Sequence, residues 1–283
     1  MGKIGLLLDS TTITRDDILE NEFIKVAPLG VSIDGVEYTE ATLSKTQMAE
    51  LLPHAKKMLT SQPAPGIFLE LYQEFYNEGY TEVLVLTISE KLSGTFQSAL
   101  IAKSMIDFPL DIRVHSCTVA SFGVALGIPL IANMIKANTP FKKLDEETVR
   151  IYENSKVMFT LQDLMHLFKG GRLSKVSALI GTVLRIKPIV EMVEGKLELT
   201  KKERTNHGCF EYFMNQVDDH VNRFSNVYID FIQMNRPDWE TKFVDLMKEK
   251  YPTVQYHLTR AVSPVFSVHL GDQGFGVSIL AYN

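Results

Sequence analysis

The chain has 283 residues, of which 45% are hydrophobic and 22% charged, and its formal net charge at pH 7 is −5. This composition is typical of a soluble globular protein with one large or two modest domains. The acidic balance argues against a nucleic-acid surface, and no apolar run approaches the roughly 20 residues of a membrane-spanning helix.

The first half of the chain alternates predicted strands and helices. Apolar runs predict strands over 3–8, 23–28, 31–33, 83–87 and 112–114, and helical spacing predicts helices over 44–58, 67–77, 96–106 and 119–135. Strands that alternate with helices of this length indicate crossover connections. We therefore predict an α/β fold with a mainly parallel sheet in this half.

The second half has a different pattern. It predicts strands over 156–159, 189–193, 197–199, 227–232, 265–269 and 276–281, and helices over 162–168, 209–224 and 239–250. Glu194-Gly195 predicts a hairpin turn between two of these strands. Pro140 and a charged run over 142–147 interrupt the pattern. We therefore divide the chain into an N-terminal α/β domain, residues 1–150, and a C-terminal α/β domain, residues 151–283.

Four short polar stretches combine hydroxyl, cation or imidazole donors with glycine or proline. They are Thr60-Ser61-Gln62-Pro63, Leu92-Ser93-Gly94-Thr95, Lys169-Gly170-Gly171-Arg172 and His269-Leu270-Gly271. Ser93 and Gly94 follow the strand predicted over 83–87, where ligands of open α/β sheets gather. Hydrogen-bond donors beside conformationally flexible glycines predict a site that holds an anion. Each stretch alone also fits ordinary structure, such as a helix cap, a helix stop or a hydrogen-bonded histidine.

Catalytic motifs are not evident in the sequence. It contains no serine-hydrolase elbow, phosphate loop or zinc-binding helix pattern, and its seven histidines lack metal-ligand spacing. We expect no catalytic residues and no metal. The alternative is a phosphotransferase or hydrolase that uses Asp9 or Ser93 on a small anionic metabolite, although no acidic cluster for Mg²⁺ accompanies Asp9. Cys117 and Cys209 form no CxxC pair, which favours buried free thiols in a reducing cytoplasm.

The ordered set of motifs resembles the DegV family of bacterial fatty-acid-binding proteins. The matching stretches are Asp9-Ser10-Thr11, Thr60-Ser61-Gln62-Pro63, Ser89-Glu90-Lys91-Leu92-Ser93-Gly94-Thr95-Phe96-Gln97-Ser98-Ala99, Gly170-Gly171-Arg172-Leu173-Ser174, and Ser263-Pro264-Val265 with His269-Leu270-Gly271. They follow the family's order across essentially the whole chain. The resemblance implies a two-domain DegV-like fold, with a mainly parallel sheet in the N-terminal domain and a mixed sheet with helices in the C-terminal domain.

The same resemblance implies that one long-chain fatty acid lies between the domains. Proteins of this kind act as the acyl-carrying subunit of a fatty acid kinase in phospholipid metabolism. A separate kinase protein uses ATP to convert the presented carboxylate into an acyl phosphate, so the carrier itself is not an enzyme. By this resemblance, the carboxylate-binding residues are Thr60, Ser61, Ser93, Gly94 and His269.

Arg172 and Arg204 match basic positions that the resemblance links to the head group or the kinase-docking face. It further implies a cytoplasmic protein with no cofactor besides the bound fatty acid, no nucleic-acid partner and only transient contact with a membrane. A regulatory module that senses a lipid would need the same pocket, and it remains a further alternative.

The apolar segment 176–193 predicts either the wall of an acyl tunnel or plain core packing. Three positions depart from the family pattern. Ala64 stands where a serine is common, and His115 stands where an aspartate is usual. Asp272 lies near His269 in sequence, where it either stabilises an imidazolium or repels a fatty carboxylate.

Overall fold

The computed structural model describes residues 2–12, 16–173, 186–260 and 262–283. In chain order the strands are β1 (Ile4–Asp9), β2 (Ile24–Ala27), β3 (Gly30–Ile33), β4 (Val36–Thr39), β5 (Met58–Ser61), β6 (Glu82–Thr87), β7 (Asp111–Ser116), β8 (Lys156–Leu161), β9 (Lys187–Val193), β10 (Lys196–Glu203), β11 (Asn226–Met234), β12 (Gln255–Thr259) and β13 (Gly274–Tyr282). The helices are α1 (Lys45–Leu51), α2 (Pro65–Asn77), α3 (Thr95–Met105), α4 (Phe122–Lys136), α5 (Phe141–Glu153), α6 (Met165–Lys169), α7 (Asn206–Arg223), α8 (Pro237–Lys250) and α9 (Pro264–Leu270). Within these ranges, no helix combines the length and the hydropathy needed to cross a membrane.

The first sheet is entirely parallel, with the strand order β2-β1-β6-β7. Every residue of β1 is buried, as is typical of parallel strands covered on both faces. The parallel sheet predicted for this half is confirmed. Because β1 and β6 run in the same direction, their carboxyl ends at Asp9 and Thr87 lie at the same edge of the sheet.

An antiparallel sheet with the order β4-β3-β5 accompanies the parallel one. The helix predicted over 44–58 is wrong in its second half, since α1 ends at Leu51 and β5 begins at Met58. Ser44 and Gln47 form a capping box that starts α1. Pro53 lacks the N–H group that a continuing helix needs, so the helix stops before it. Thr60 and Ser61 therefore lie at the end of a strand, and Gln62 and Pro63 follow it.

A six-stranded mixed sheet forms the second half, with the order β10-β9-β8-β13-β11-β12. Only the β11–β12 pair in this sheet is parallel. The predicted hairpin joins β9 to β10 through Glu194 and Gly195, whose φ angles are +47° and +79°. Positive φ at both turn residues is the requirement of a type I′ hairpin turn. The mixed sheet and the hairpin are thus confirmed.

The strand predicted over 265–269 is wrong, because these residues belong to α9. Ser263 caps this helix by accepting a hydrogen bond from the Phe266 amide, and Pro264 occupies the first helical position. Both are ordinary signals of a helix start. A short apolar run does not distinguish a strand from a buried helix, and this ambiguity caused the error. His269 consequently lies in the last turn of a helix, which Gly271 ends with a φ of +75°.

One hydrophobic cluster joins the two halves. It contains Leu6 and Leu84 of the parallel sheet, Val124 of α4, and Val157 and Leu280 of the mixed sheet. The proposed boundary between residues 150 and 151 falls within α5, which packs against both α4 and β13. The two proposed domains therefore share a core.

Candidate functional site

Segments from distant parts of the chain enclose a small cavity of about 60 Å³, which we call the polar cavity. It is lined by Leu29, Thr60, Ser61, Gln62, Ile88, Leu92, Ser93, Leu167, Arg172, Leu197, Val265, Phe266, His269 and Leu270. The structure thus brings five of the residues singled out from the sequence to one place. They are Thr60, Ser61, Ser93, Arg172 and His269.

A hydrogen bond of 2.8 Å joins Thr60 Oγ1 to His269 Nε2. Antiparallel pairing with β3 holds Thr60 on β5, and α9 carries His269. Glu40 fixes the start of α9, because its carboxylate accepts hydrogen bonds from the Val265 amide at 2.9 Å and from the Ser10 hydroxyl at 2.5 Å. Glu40 therefore ties the helix that carries His269 to the N-terminal half of the chain.

The imidazole of His269 is neutral at pH 7. Burial, followed by the nearby Arg172 and His166, lowers its pKa to about 4. Its Nδ1 atom is buried and makes no hydrogen bond with any residue that the structure describes. A carboxylate placed beside this ring would favour the protonated form and raise the pKa of His269.

Ser93 and Gly94 shape the start of α3. Ser93 Oγ lies 2.9 Å from Thr95 Oγ1, and Gly94 immediately precedes the helix. A Cβ atom at Gly94 would lie only 2.6 Å from Gln62 Nε2. Glycine at this position therefore leaves room for the side chain of Gln62, a residue that lines the polar cavity.

Arg172 is the only lysine or arginine among the described residues that line the polar cavity. Its Nε donates a hydrogen bond to the Leu92 carbonyl at 3.2 Å, and Nη1 donates one to the Gly170 carbonyl at 2.5 Å. A guanidinium carries five N–H donors, so others remain for an anion. Arg204, by contrast, is exposed after β10 and lies outside the lining of this cavity.

A second cavity, which we call the apolar cavity, adjoins the polar one and has a volume of about 40 Å³. Its lining consists of Leu92, Ala120, Ser121, Phe122, Val157, Met158, Phe159, Met192, Leu197, Ile232, Met234, Val262, Phe266, Leu270 and Gly276. Four residues line both cavities, and we call them the neck: Leu92, Leu197, Phe266 and Leu270. Of the segment predicted as a tunnel wall, 176–185 lies outside the described residues, and Met192 lines the apolar cavity.

A third and wider cavity, of about 380 Å³, shares Thr60, Arg172 and His269 with the polar cavity. We call it the basic cavity, and its lining residues are Ala55, Lys56, Met58, Leu59, Thr60, His166, Lys169, Gly170, Arg172, Val268 and His269. None of these lining residues is acidic. The concentration of lysine and arginine gives the cavity a positive potential that attracts anions.

Asp9, the residue of the catalytic alternative, is fully buried at the carboxyl end of β1. Its carboxylate accepts hydrogen bonds from the Thr11 amide at 2.9 Å, from the Thr11 hydroxyl and from the Ile88 amide. Burial raises the pKa of Asp9 to about 6. This side chain thus joins the loops after β1 and β6. Across the described ranges, no group of three or more His, Cys, Asp or Glu side chains is arranged to hold a metal ion.

The three departures from the family pattern lie at different places. Ala64 precedes α2 and supplies no side-chain cap. His115 contacts Asp145 at 2.6 Å on the edge strand β7 and does not line the polar cavity. Asp272 is exposed. The groups that lower the pKa of His269 after burial are Arg172 and His166, and Asp272 is not among them.

Among the described residues, sequence reasoning missed Glu40, Ser121 and His166, which lie at or near these cavities. Gln62 belongs to a stretch that the sequence singled out, but no role was assigned to it. Nothing in the pattern around Glu40 indicates its contact with Val265, which lies 225 residues further along the chain. The turn between a strand and an apolar helix did offer a signal for Ser121, because such turns place side chains at the ligand-binding edge of α/β sheets.

Comparison with known proteins gives consistent matches over the whole chain. The model of a family described as "Uncharacterised protein, DegV family" matches residues 3–282. A DegV domain-containing protein of Listeria innocua is 30% identical over 278 residues, which cover 98% of each chain. The fatty acid binding DegV family protein of Streptococcus agalactiae has 25% identity and a TM-score of 0.91 over 100% of both chains. DegV, a fatty acid binding protein from Bacillus subtilis, has 26% identity and a TM-score of 0.86 over 99% of this chain and 100% of that one.

Proposed function

The chain belongs to the DegV family, and from that premise we propose that it binds one long-chain fatty acid. The carboxylate lies in the polar cavity and the acyl chain passes the neck into the apolar cavity. One observation carries the proposal: a cavity with hydroxyl, imidazole and guanidinium groups shares four apolar residues with a cavity that is almost wholly apolar. The fatty-acid-binding relatives from Streptococcus agalactiae and Bacillus subtilis support it.

The polar cavity supplies what a partly buried carboxylate requires. Its charge must be met by donors, or its pKa rises and the neutral acid binds instead. Arg172 offers a fixed positive charge, and the hydroxyls of Thr60, Ser61 and Ser93 offer donors without charge. His269 adds an imidazole whose pKa is low while the site holds no anion and rises when a carboxylate approaches. Gly94 contributes by allowing the close approach of Gln62.

The neck and the apolar cavity suit an acyl chain. Burial of about 15 methylenes at roughly 0.8 kcal/mol each gives a gross gain near 12 kcal/mol, before the cost of ordering the chain. The volumes of 60 and 40 Å³ are well below the roughly 300 Å³ of a typical ligand pocket. A full-length chain therefore requires side chains of the neck to move apart, and the half-buried Leu92, Leu197 and Phe266 are placed to do so.

We further propose that this protein is a cytoplasmic carrier and that a separate kinase makes the acyl phosphate. The basic cavity supports this step, because Thr60, Arg172 and His269 line both it and the polar cavity. A phosphoryl donor approaching through the basic cavity would meet lysine and arginine side chains. The exposed Arg204 then belongs to the kinase-docking face. Capture of a lipid-dependent partner other than a kinase would instead favour the regulatory alternative.

A hydrolase is the second candidate, because Thr60 and His269 form a hydroxyl–imidazole pair at 2.8 Å. A general base works best with a pKa near the operating pH, and that of His269 is about 4. The third group that orients such a base is also not found, since Nδ1 has no partner among the described residues. Turnover of a generic ester or phosphate ester, lost in Thr60→Val or Asp9→Asn, would overturn the carrier proposal.

The direct test of binding is to denature the purified protein, extract it with organic solvent and analyse the extract by mass spectrometry. We expect close to one long-chain fatty acid per chain, retained through purification by its buried methylenes. The same measurement identifies the preferred chain. An extract without fatty acid, together with no binding of added palmitate or stearate in a titration, would contradict the proposal.

Gly170→Ala is expected to weaken fatty-acid binding about tenfold while the fold is retained. A Cβ atom at Gly170 would lie 2.4 Å from His269 Nδ1, so the imidazole must leave its position beside Thr60. The loss corresponds to one hydrogen bond of about 1.4 kcal/mol. Palmitate titration measures it, and Gly66→Ala is the control, because a Cβ at Gly66 meets no atom within 4 Å. Unchanged affinity in Gly170→Ala would remove His269 from the carboxylate site.

A further inference from the structure

Ser121 is a buried serine with an unsatisfied hydroxyl. The residue is 2% exposed, and its Oγ makes no hydrogen bond with any part of the chain that the structure describes. It lines the apolar cavity, where every other lining residue that the structure describes is apolar or glycine. A buried hydroxyl without a partner is costly, so such groups call for an explanation.

The backbone at Ser121 is also unusual. Its φ and ψ angles are +50° and −110°, a conformation that residues other than glycine rarely adopt. Ser121 is the N-cap residue of α4, yet its side chain makes no capping hydrogen bond. A serine at this position ordinarily accepts one from the first turn of the helix. Glycine at position 121 would avoid the backbone strain, and alanine would match the apolar wall of the cavity. Neither the backbone conformation nor the packing therefore explains why this residue is a serine.

Two ordinary roles for the hydroxyl are not supported by its surroundings. No imidazole or carboxylate of the described residues lies within hydrogen-bond distance, so Ser121 is not part of a nucleophile–base pair. A buried water normally needs two to four polar partners, and among the described residues the other side chains that line this cavity provide none. The remaining partner for the hydroxyl is a polar group on the molecule that enters the cavity.

We propose that Ser121 selects acyl chains that carry an oxygen substituent, a hydroxyl or an oxo group, at the depth of the apolar cavity. This inference rests on the proposed function, since it requires an acyl chain in that cavity. The Ser121 hydroxyl hydrogen-bonds the substituent, which satisfies both groups away from water. An unsubstituted chain still binds through its methylenes, but it leaves the hydroxyl unpaired.

The test compares stearate with a panel of hydroxystearates in which the hydroxyl moves stepwise along the chain, titrated into the intact protein. One position should bind about tenfold more tightly than its neighbours in the panel, the factor for one hydrogen bond of about 1.4 kcal/mol. The oxo analogue at that position should share the gain. At other positions of the acyl chain the hydroxyl should weaken binding, because it is buried against apolar residues without a hydrogen-bond partner.

Ser121→Ala should flatten this profile by removing the preference for one position over its neighbours, and Ser121→Gly should do the same without the backbone strain. Ser278→Ala is the matched control, because Ser278 is also buried with an unpaired hydroxyl but does not line the cavity. A flat profile with normal stearate binding, or a peak that survives in Ser121→Ala, overturns the inference alone. Failure of stearate itself to bind overturns the proposed function as well.

Discussion

Replacing Leu197 with tryptophan is expected to lower the affinity for palmitate by a factor of at least about 100. Leu197 lies on β10 and lines the neck, so a larger ring there closes the passage to the apolar cavity. If about four methylenes of the acyl chain can no longer enter the apolar cavity, roughly 3 kcal/mol of binding free energy is lost, which corresponds to a factor of about 100 in affinity. Isothermal titration with palmitate and with octanoate would measure it, and the shorter acid should lose much less.

Leu199→Trp provides the control for this substitution. Leu199 lies two residues further along β10, so its side chain shares a sheet face with that of Leu197 and is similarly half-buried. It does not line either cavity. Palmitate affinity in Leu199→Trp should therefore stay close to that of the unmodified protein. Equal losses in the two variants would mean that the tryptophan acts on the fold and not on the passage.

Arg172→Met is expected to lower palmitate affinity by roughly ten- to a hundredfold, because a hydrogen bond to a charged group contributes about 1.5–3 kcal/mol. The residual binding should strengthen as the pH falls, since the protonated acid needs no cation. The pKa of His269 should rise in the ligand-free variant, because Arg172 is one of the groups that lower it. Titrations at mildly acidic and mildly alkaline pH, with NMR of the imidazole, would measure both effects.

Arg204→Met makes the same chemical change at an exposed position outside the polar cavity. Palmitate affinity should be unchanged in this variant. With a fatty acid kinase and ATP, however, Arg204→Met should form acyl phosphate more slowly, because it removes a cation from the proposed docking face. A loss of palmitate binding as large as that of Arg172→Met would contradict the assignment of Arg172 to the carboxylate site and of Arg204 to the kinase-docking face.

The parallel sheet could be predicted because its strands are nearly continuous apolar runs that end at polar turns, as in β1 and β6. The errors occurred where local signals are ambiguous. The apolar residues over 44–58 have helical spacing on both sides of Pro53, and the prediction followed this spacing although the proline marks the end of α1. The run over 265–269 is too short to reveal its period, and the cap at Ser263 was the better indicator.

The candidate site was predictable to a similar degree. Polar stretches beside glycine or proline singled out the segments that carry Thr60, Ser93, Arg172 and His269, and the structure brings these four residues to one cavity. The contacts that position them were not predictable, since they join segments far apart in sequence. Thr60 and His269 are separated by 209 residues. Glu40 is another example, because its hydrogen bond to the Val265 amide forms only when the start of α9 lies against the residue that follows β4.

The position of β13 has a consequence for synthesis of the protein. This strand follows β8, β9, β10, β11 and β12 along the chain, yet it lies between β8 and β11 in the mixed sheet. On the ribosome, the two groups of strands that it joins emerge earlier and keep unpaired edges, which are prone to aggregate. Gly276 of β13 also forms part of the apolar cavity wall. A nascent chain therefore cannot complete the apolar cavity until β13 has emerged and inserted, and its unpaired strand edges stay accessible to chaperones until that moment.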